Sequence, residues 1–205
     1  MKKGLHLAII VDKEEKRRSI ALSCRALLLE YGIKNLTIAQ IAETAGIGKG
    51  TVYEYFSNKE DIVFEIIASF IEIHEKRLKE IAQQDISTKE KIESFYFLFL
   101  DDEESKKQLR IYQEFLAISM TRPTDQTIHF SQTCNQIFSS ISRKIIEDAI
   151  RRDELRAEAA QIIPHLSIYH TGLIVETSKS LVDAKTEIKA FLNTLFKLLE
   201  KGDRS

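Results

Sequence analysis

Lys49, Thr51, Tyr53, Glu54, Tyr55 and Lys59 crowd into one short stretch around Gly50. They bring together two ammonium groups, three hydroxyls and one carboxylate. Point charges and hydroxyl donors of this kind suit phosphate oxygens, and a carboxylate can accept a hydrogen bond from cytosine N4. Nothing elsewhere in the chain supplies a nucleophile–base pair, a Glu-x-x-His pair or a phosphate-cradling loop. The chemistry on offer is recognition, and an enzyme on a helical scaffold is disfavoured. On a helical wheel Val52 and Phe56 point inward, so Gly50 and Glu54 lie nearly opposite, flanked by Thr51 and Tyr53. Gly50 has no side chain to hold the backbone away from a partner surface.

Two short helices must position these groups, within Leu36 to Ile62. Thr37 can cap the first, where Ile38, Ile41, Ala42 and Ala45 form one apolar stripe at helical spacing. Gly46 follows and enters positive φ without steric cost, as a sharp helix-to-helix corner requires. The second helix, roughly Gly48 to Phe56, is too short and too polar to be a core element. It suits insertion into a groove, so the pair reads as a helix-turn-helix, with the first-turn amides of both helices directed at phosphates.

At Thr37, Ile41-Ala42, Ala45-Gly46-Ile47, Lys49-Gly50-Thr51, Tyr53, Tyr55-Phe56 and Lys59-Glu60 the chain resembles the signature of TetR-type (tetracycline repressor-like) regulators. The resemblance covers about 25 residues, counted directly along the sequence. It implies backbone contacts to DNA from Lys49, Gly50, Thr51, Tyr53 and Lys59, with Thr37 and Tyr55 beside them. Tyr55 reads equally as a packing residue. Two positions depart from the pattern. Gly48 stands where a serine is usual, which removes a capping hydroxyl at a cost of a few tenths of a kcal/mol, ~0.3 kcal/mol. Glu54 stands where histidine, arginine or an aromatic residue is usual. It either reads cytosine or pairs with a nearby cation.

The expected fold class is all-α: an N-terminal three-helix helix-turn-helix DNA-binding domain over residues 1–58 and a C-terminal helical ligand-binding and dimerisation domain over 59–205. Residues 1 to about 11 read as an arm, and Lys13, Lys16, Arg17 and Arg18 as a basic face near phosphates or solvent. A first helix is expected from about Asp12 to Tyr31, with Ile20, Cys24, Leu27, Leu28 and Tyr31 inward and Gly32 ending it. A long helix from Ser57–Glu60 to about Gln84 links the domains. Further helices follow from Ser87, over about 105–121, 124–152, 158–181 and 184–201, with Asp101 to Glu104 as a solvated loop. The apolar stripe Ile188, Phe191, Leu192, Leu195, Phe196 and Leu199 in the last helix is wide. It predicts that the last two helices pair with a second copy as a four-helix bundle, which is also what the resemblance implies.

Composition sets the limits. The 205 residues are enough for two small domains, and 43% hydrophobic with 30% charged residues is ordinary for a helical protein. The net charge of −1 hides an asymmetry: residues 1–60 hold ten Lys/Arg against seven Asp/Glu. No apolar run approaches membrane-spanning length and the start does not read as a signal peptide, so a cytoplasmic location is expected. Cys24 and Cys134 read as small buried hydrophobes, with no zinc spacing.

The middle helices are rich in aromatic residues and sparse in polar ones. Phe95, Phe99, Tyr112, Phe115, Cys134, Phe138 and His170 are candidates to line a pocket for a small hydrophobic or aromatic ligand, and equally candidates for a plain core. His165 and His170 are wrongly spaced for joint metal ligation on one face. No metal or cofactor is expected. The function expected is a homodimeric repressor released from a double-stranded DNA operator by that ligand, through a change carried along the long helix. The alternative is an activator or architectural regulator with no ligand.

Overall fold

Thr37 closes a capping box in the computed structural model, which describes residues 2–178 and 183–201. Its hydroxyl accepts from Gln40 N while the Gln40 side chain reaches back to Thr37 N at 2.9 Å. That box starts α3 (Ile38–Thr44), third of the helices after α1 (Lys2–Ser23) and α2 (Arg25–Asn35). Next come α4 (Lys49–Tyr55) and α5 (Lys59–Gln83). The chain divides into two compact units, Met1–Glu72 and Ile73–Ser205, with the division falling inside α5.

In the first unit the expected helix from Asp12 to Tyr31 is broken. Ser23 Oγ turns back to the carbonyl of Ile20 at 2.7 Å, and Cys24 N bonds Ala21 O, a tightened step that separates α1 from α2. The backbone is already helical from Lys2, where an arm was expected, because no proline or strong cap interrupts the run. Gly32 has φ +74° and ψ 176°, so the regular helix ends there and residues 33–35 form a separate turn. The inward stripe holds at Ile20, Cys24 and Leu28, but Tyr31 is 42% exposed.

The second unit contains α6 (Thr88–Phe97), α7 (Glu103–Thr121), α8 (Asp125–Arg151), a 3₁₀ turn (Ala157–Ile162), α9 (Ile163–Thr177) and α10 (Ala184–Leu199). Capping boxes at Ser87 with Glu90 and at Thr124 with Thr127 begin α6 and α8. The acidic run is only half a loop. Asp102 caps α7, and Glu103 and Glu104 fill its first turn, where carboxylates suit the helix dipole. The helix expected from Glu158 begins instead as the 3₁₀ turn, Pro164 lying at the start of α9. Its expected end at Leu181 lies outside the described residues. Phe95, Tyr96, Phe138, Ile146, Leu166, Ile188, Leu192 and Phe196 form the core of this unit.

A reversed turn closes α8. Asp153 adopts φ +65°, Glu154 N bonds Ala149 O at 3.0 Å, and Leu155 pairs with Glu200 in an isolated antiparallel bridge. Arg156 N donates to Leu199 O and Lys201 pairs with Asp153, so this turn fastens the end of α10. No helix among the described residues is long and apolar enough to cross a membrane.

Candidate nucleic-acid interface

The corner between α3 and α4 follows from Gly46. With φ +66° it lets Gly46 N bond Glu43 O and Ile47 N bond Ala42 O, closing α3 in the two-bond pattern of a helix stop. Gly48 then opens α4 without a side-chain cap, so the first-turn amides of α4 have no capping oxygen. Val52 (0% exposed) and Phe56 (2%) hold α4 to the first unit, while Tyr53 is 59% exposed.

Lys49, Gly50 and Glu54 lie exposed on the same outward side, with Thr51 and Tyr55 half-buried at its edges. A Cβ built on Gly50 would meet nothing within 4 Å, so no internal packing demands glycine there. A glycine inside a helix costs about 1 kcal/mol relative to alanine. The fold gives no return for it, whereas a partner surface pressed against the backbone would.

Glu54 shares an open cleft of about 710 Å³ with Asp12, Lys13, Lys16 and Tyr55. Among the described residues no cation stands within ion-pair distance of its carboxylate. Arg17 is drawn inward from the basic face read in the sequence, and Arg18, still exposed, is held by an ion pair. Arg18 pairs with Glu72, and Arg17 binds Glu65 at 3.2 Å and the carbonyl of Tyr55 at 2.7 Å. Lys59 is similarly engaged, its ammonium donating to Ile33 O at 2.9 Å and Lys34 O at 3.4 Å, across the turn that ends α2. The Thr37 hydroxyl is held by its capping box. Thus Lys49, Gly50, Thr51, Tyr53 and Glu54 gather on one outward face, whereas Thr37 and Lys59 serve the scaffold of the same unit. Arg17 was legible only as one of several cations; its partners lie 38 and 48 positions away.

The candidate pocket residues of the second unit separate into two groups. Phe95, Phe99, Phe138 and His170 surround Tyr96, with Phe95 edge-on to Phe138 at 6.1 Å and His170 5.7 Å from Phe99. Tyr112, Phe115 and Cys134 form the other: Tyr112 stacks on Phe115 at 5.8 Å, and Cys134 lies close enough to Tyr112 for the two to influence each other electrostatically. Burial pushes the Cys134 thiol up to about 11. Phe95, Phe115 and Phe138 are core side chains. Of the seven, Phe99 and His170 border a small void among the described residues, which they share with Tyr96, Leu100, Leu109, Leu173, Ile174 and Thr177. Its volume is about 10 Å³, room for about one water.

A far larger apolar groove of about 1000 Å³ runs along α9, past Met120, Ile168, Gly172 and Val175. None of the seven candidate residues lines it. In α10 the stripe is largely absorbed by the unit's own core, since Ile188, Leu192 and Phe196 are buried and Phe191 stacks on Tyr169 at 4.1 Å. Among the described residues of α9 and α10, the exposed large apolar positions are Ile168 (69%) and Val175 on α9 and Leu198 on α10.

Residues 23–66 match the family model described as bacterial regulatory proteins, tetR family. Over 199 residues the chain is 24% identical to the fatty acid metabolism regulator protein of Bacillus subtilis (strain 168), covering 93% of this chain and 97% of that one. In three dimensions it is similar to a TetR transcription regulator from Haloarcula marismortui, with TM-score 0.75 and 12% identity over 92% of this chain and 100% of that one. It is also similar to SmeT in a complex with triclosan, with TM-score 0.68 and 18% identity over 92% and 93% of the two chains. At these identities the structural likeness establishes the fold.

Proposed function

This chain belongs to the TetR family of bacterial regulatory proteins, and from that premise we propose that it is a dimeric repressor released from its operator by a small hydrophobic or aromatic molecule. That it is a DNA-binding transcriptional regulator follows from the family itself. The observation that carries the DNA-reading part of the proposal is the posture of α4: Val52 and Phe56 sunk, Lys49, Gly50, Tyr53 and Glu54 presented outward. Such a helix enters a major groove, its lysine, hydroxyls and free amides taking phosphates and Glu54 a base edge. We assign DNA binding to residues 1–58 and ligand binding and dimerisation to 59–205.

One helix pair reads too few base pairs for a specific site, and a two-fold dimer reads two half-sites. The exposed face of α9, with Ile168 and Val175 either side of Gly172, supports pairing there together with α10. The void beside His170 supports a ligand site that widens on binding, since its walls are almost wholly apolar. The triclosan complex of SmeT, a protein of the same fold, is in keeping with a lipophilic effector. A ligand that prefers the widened state shifts the population away from the DNA-competent one, and α5, continuous from Lys59 to Gln83, is the path along the chain.

The test is a mobility shift on a duplex selected from a random library by the wild-type protein. Lys49→Ala/Tyr53→Ala is expected to abolish the shift. A panel of alkylphenols and fatty acids is expected to contain a compound that releases the wild-type complex. Retained binding by the double variant would remove α4 as the reader, and a complex insensitive to every lipophile would favour the ligand-free regulator.

A further inference from the structure

We propose that Arg17 is the positioning residue of the DNA-reading helix, holding the C-terminal end of α4 in place without touching DNA itself. The inference rests on the reading of α4 as the element that enters the groove, and adds what keeps it at the correct angle. α4 has seven residues, fewer than an isolated helix needs to persist in water. Its apolar anchorage is confined to Val52 and Phe56. The last carbonyls of such a helix carry the negative end of its dipole and need donors from outside.

Arg17 of α1 supplies one. Its Nη1 donates to the Tyr55 carbonyl at 2.7 Å, its Nε donates to Glu65 of α5 at 3.2 Å, and its guanidinium carbon stands 4.5 Å from the centre of the Phe56 ring. A single planar group thereby ties three helices at the point where α4 ends. Glu65 fixes the plane, the Phe56 ring supports its face, and the remaining edge is aimed at Tyr55. The adjacent outward residues Tyr53 and Glu54 belong to the turn that this bond closes. A lysine has no fork to serve the carbonyl and the carboxylate at once while lying flat on a ring. Lys13 and Lys16 on the same helix are exposed, whereas Arg17 is only a quarter exposed and faces inward.

The experiment uses the full chain and the duplex selected by the wild-type protein, with binding followed by fluorescence anisotropy from about 50 to about 300 mM salt, a range over which phosphate contacts register as a slope. Arg17→Met keeps the apolar stem. It is expected to weaken binding about tenfold or more, the scale of one charge-assisted hydrogen bond, at a temperature where its circular dichroism and melting curve show it folded. The slope of log K against log salt is expected to run parallel to wild type, because no phosphate contact is lost. Arg17→Lys should recover only part of the affinity. Glu65→Gln should weaken binding less than Arg17→Met and add nothing to it in the double variant.

Wild-type affinity in folded Arg17→Met would reduce the residue to packing and overturn the proposal. So would a slope shallower by about one, which marks a lost phosphate contact. Should Arg17→Met not fold, Glu65→Gln and Arg17→Lys carry the same comparison. Failure of the wild-type protein to enrich any duplex would instead remove the DNA reading, and the clamp with it.

Discussion

His170 lies face-on against Phe138, their ring centroids 4.6 Å apart and their planes 10° from parallel. Enclosure, and then the nearby His74, push its pKa down to about 4. In the unfolded chain it titrates near the ordinary 6.5. The folded protein refuses a proton that the unfolded chain accepts, so this residue's full contribution to stability is present above pH 6.5. It is lost as pH falls from there toward 4. Between pH 7 and pH 5 the loss is on the order of 1–2 kcal/mol. Urea midpoints at the two values should fall less in His170→Phe than in wild type; equal falls would mean that the imidazole is not held neutral.

Gly50→Ala separates folding from recognition. Since a Cβ there meets nothing within 4 Å, the substitution is expected to raise stability by up to about 1 kcal/mol while lowering DNA affinity. Thermal melts and anisotropy on one preparation decide it. Unchanged affinity would show that no partner backbone or groove comes close at this position.

Glu54 has no cation at ion-pair distance among the described residues, which favours its reading of a base over its bracing of a neighbour. Glu54→Ala is expected to relax preference at one position in each half-site, by about tenfold in discrimination. Binding-site selection with wild type and variant makes the comparison. Identical preferred sequences would end the base-reading role.

The face of α9 is the place to break a dimer. Ile168→Glu with Val175→Glu sets charges on positions that are 69% and 37% exposed in the single chain, so folding should survive. Light scattering is expected to report a monomer, and affinity for the full operator should drop toward that of a half-site. A variant that stays dimeric would place the contact elsewhere.

Local signals were legible in the sequence because they act over a few residues. Thr37, Gly46 and the inward pair Val52 and Phe56 announce the helix-turn-helix through caps, turn geometry and periodicity. What the sequence could not show depends on distant partners. Arg17 and Arg18 look like any exposed cations until Glu65 and Glu72 arrive from 48 and 54 positions away. The same holds for Lys59, whose carbonyl partners are 26 and 25 positions back. Phe95 and Phe99 are one residue type, one helical turn apart, yet only Phe99 borders the void. Periodicity sorts inward from outward and carries nothing about whether the inside is filled. The break at Cys24 was hidden for a different reason: the bond from the Ser23 hydroxyl to Ile20 O is one that a serine also makes inside unbroken helices, so the residue type does not announce it.

Cys24 has a use that its seclusion creates. It is 0% exposed, its thiol lies 3.8 Å from the Ile41 carbonyl, and burial raises its pKa. A thiol so sheltered stays silent toward alkylating reagents while α1, α2 and α3 remain assembled. Its labelling rate therefore counts the moments at which the N-terminal unit comes apart, with no dye or engineered reporter. Measured with and without operator, that clock would show how firmly DNA keeps its own reader closed.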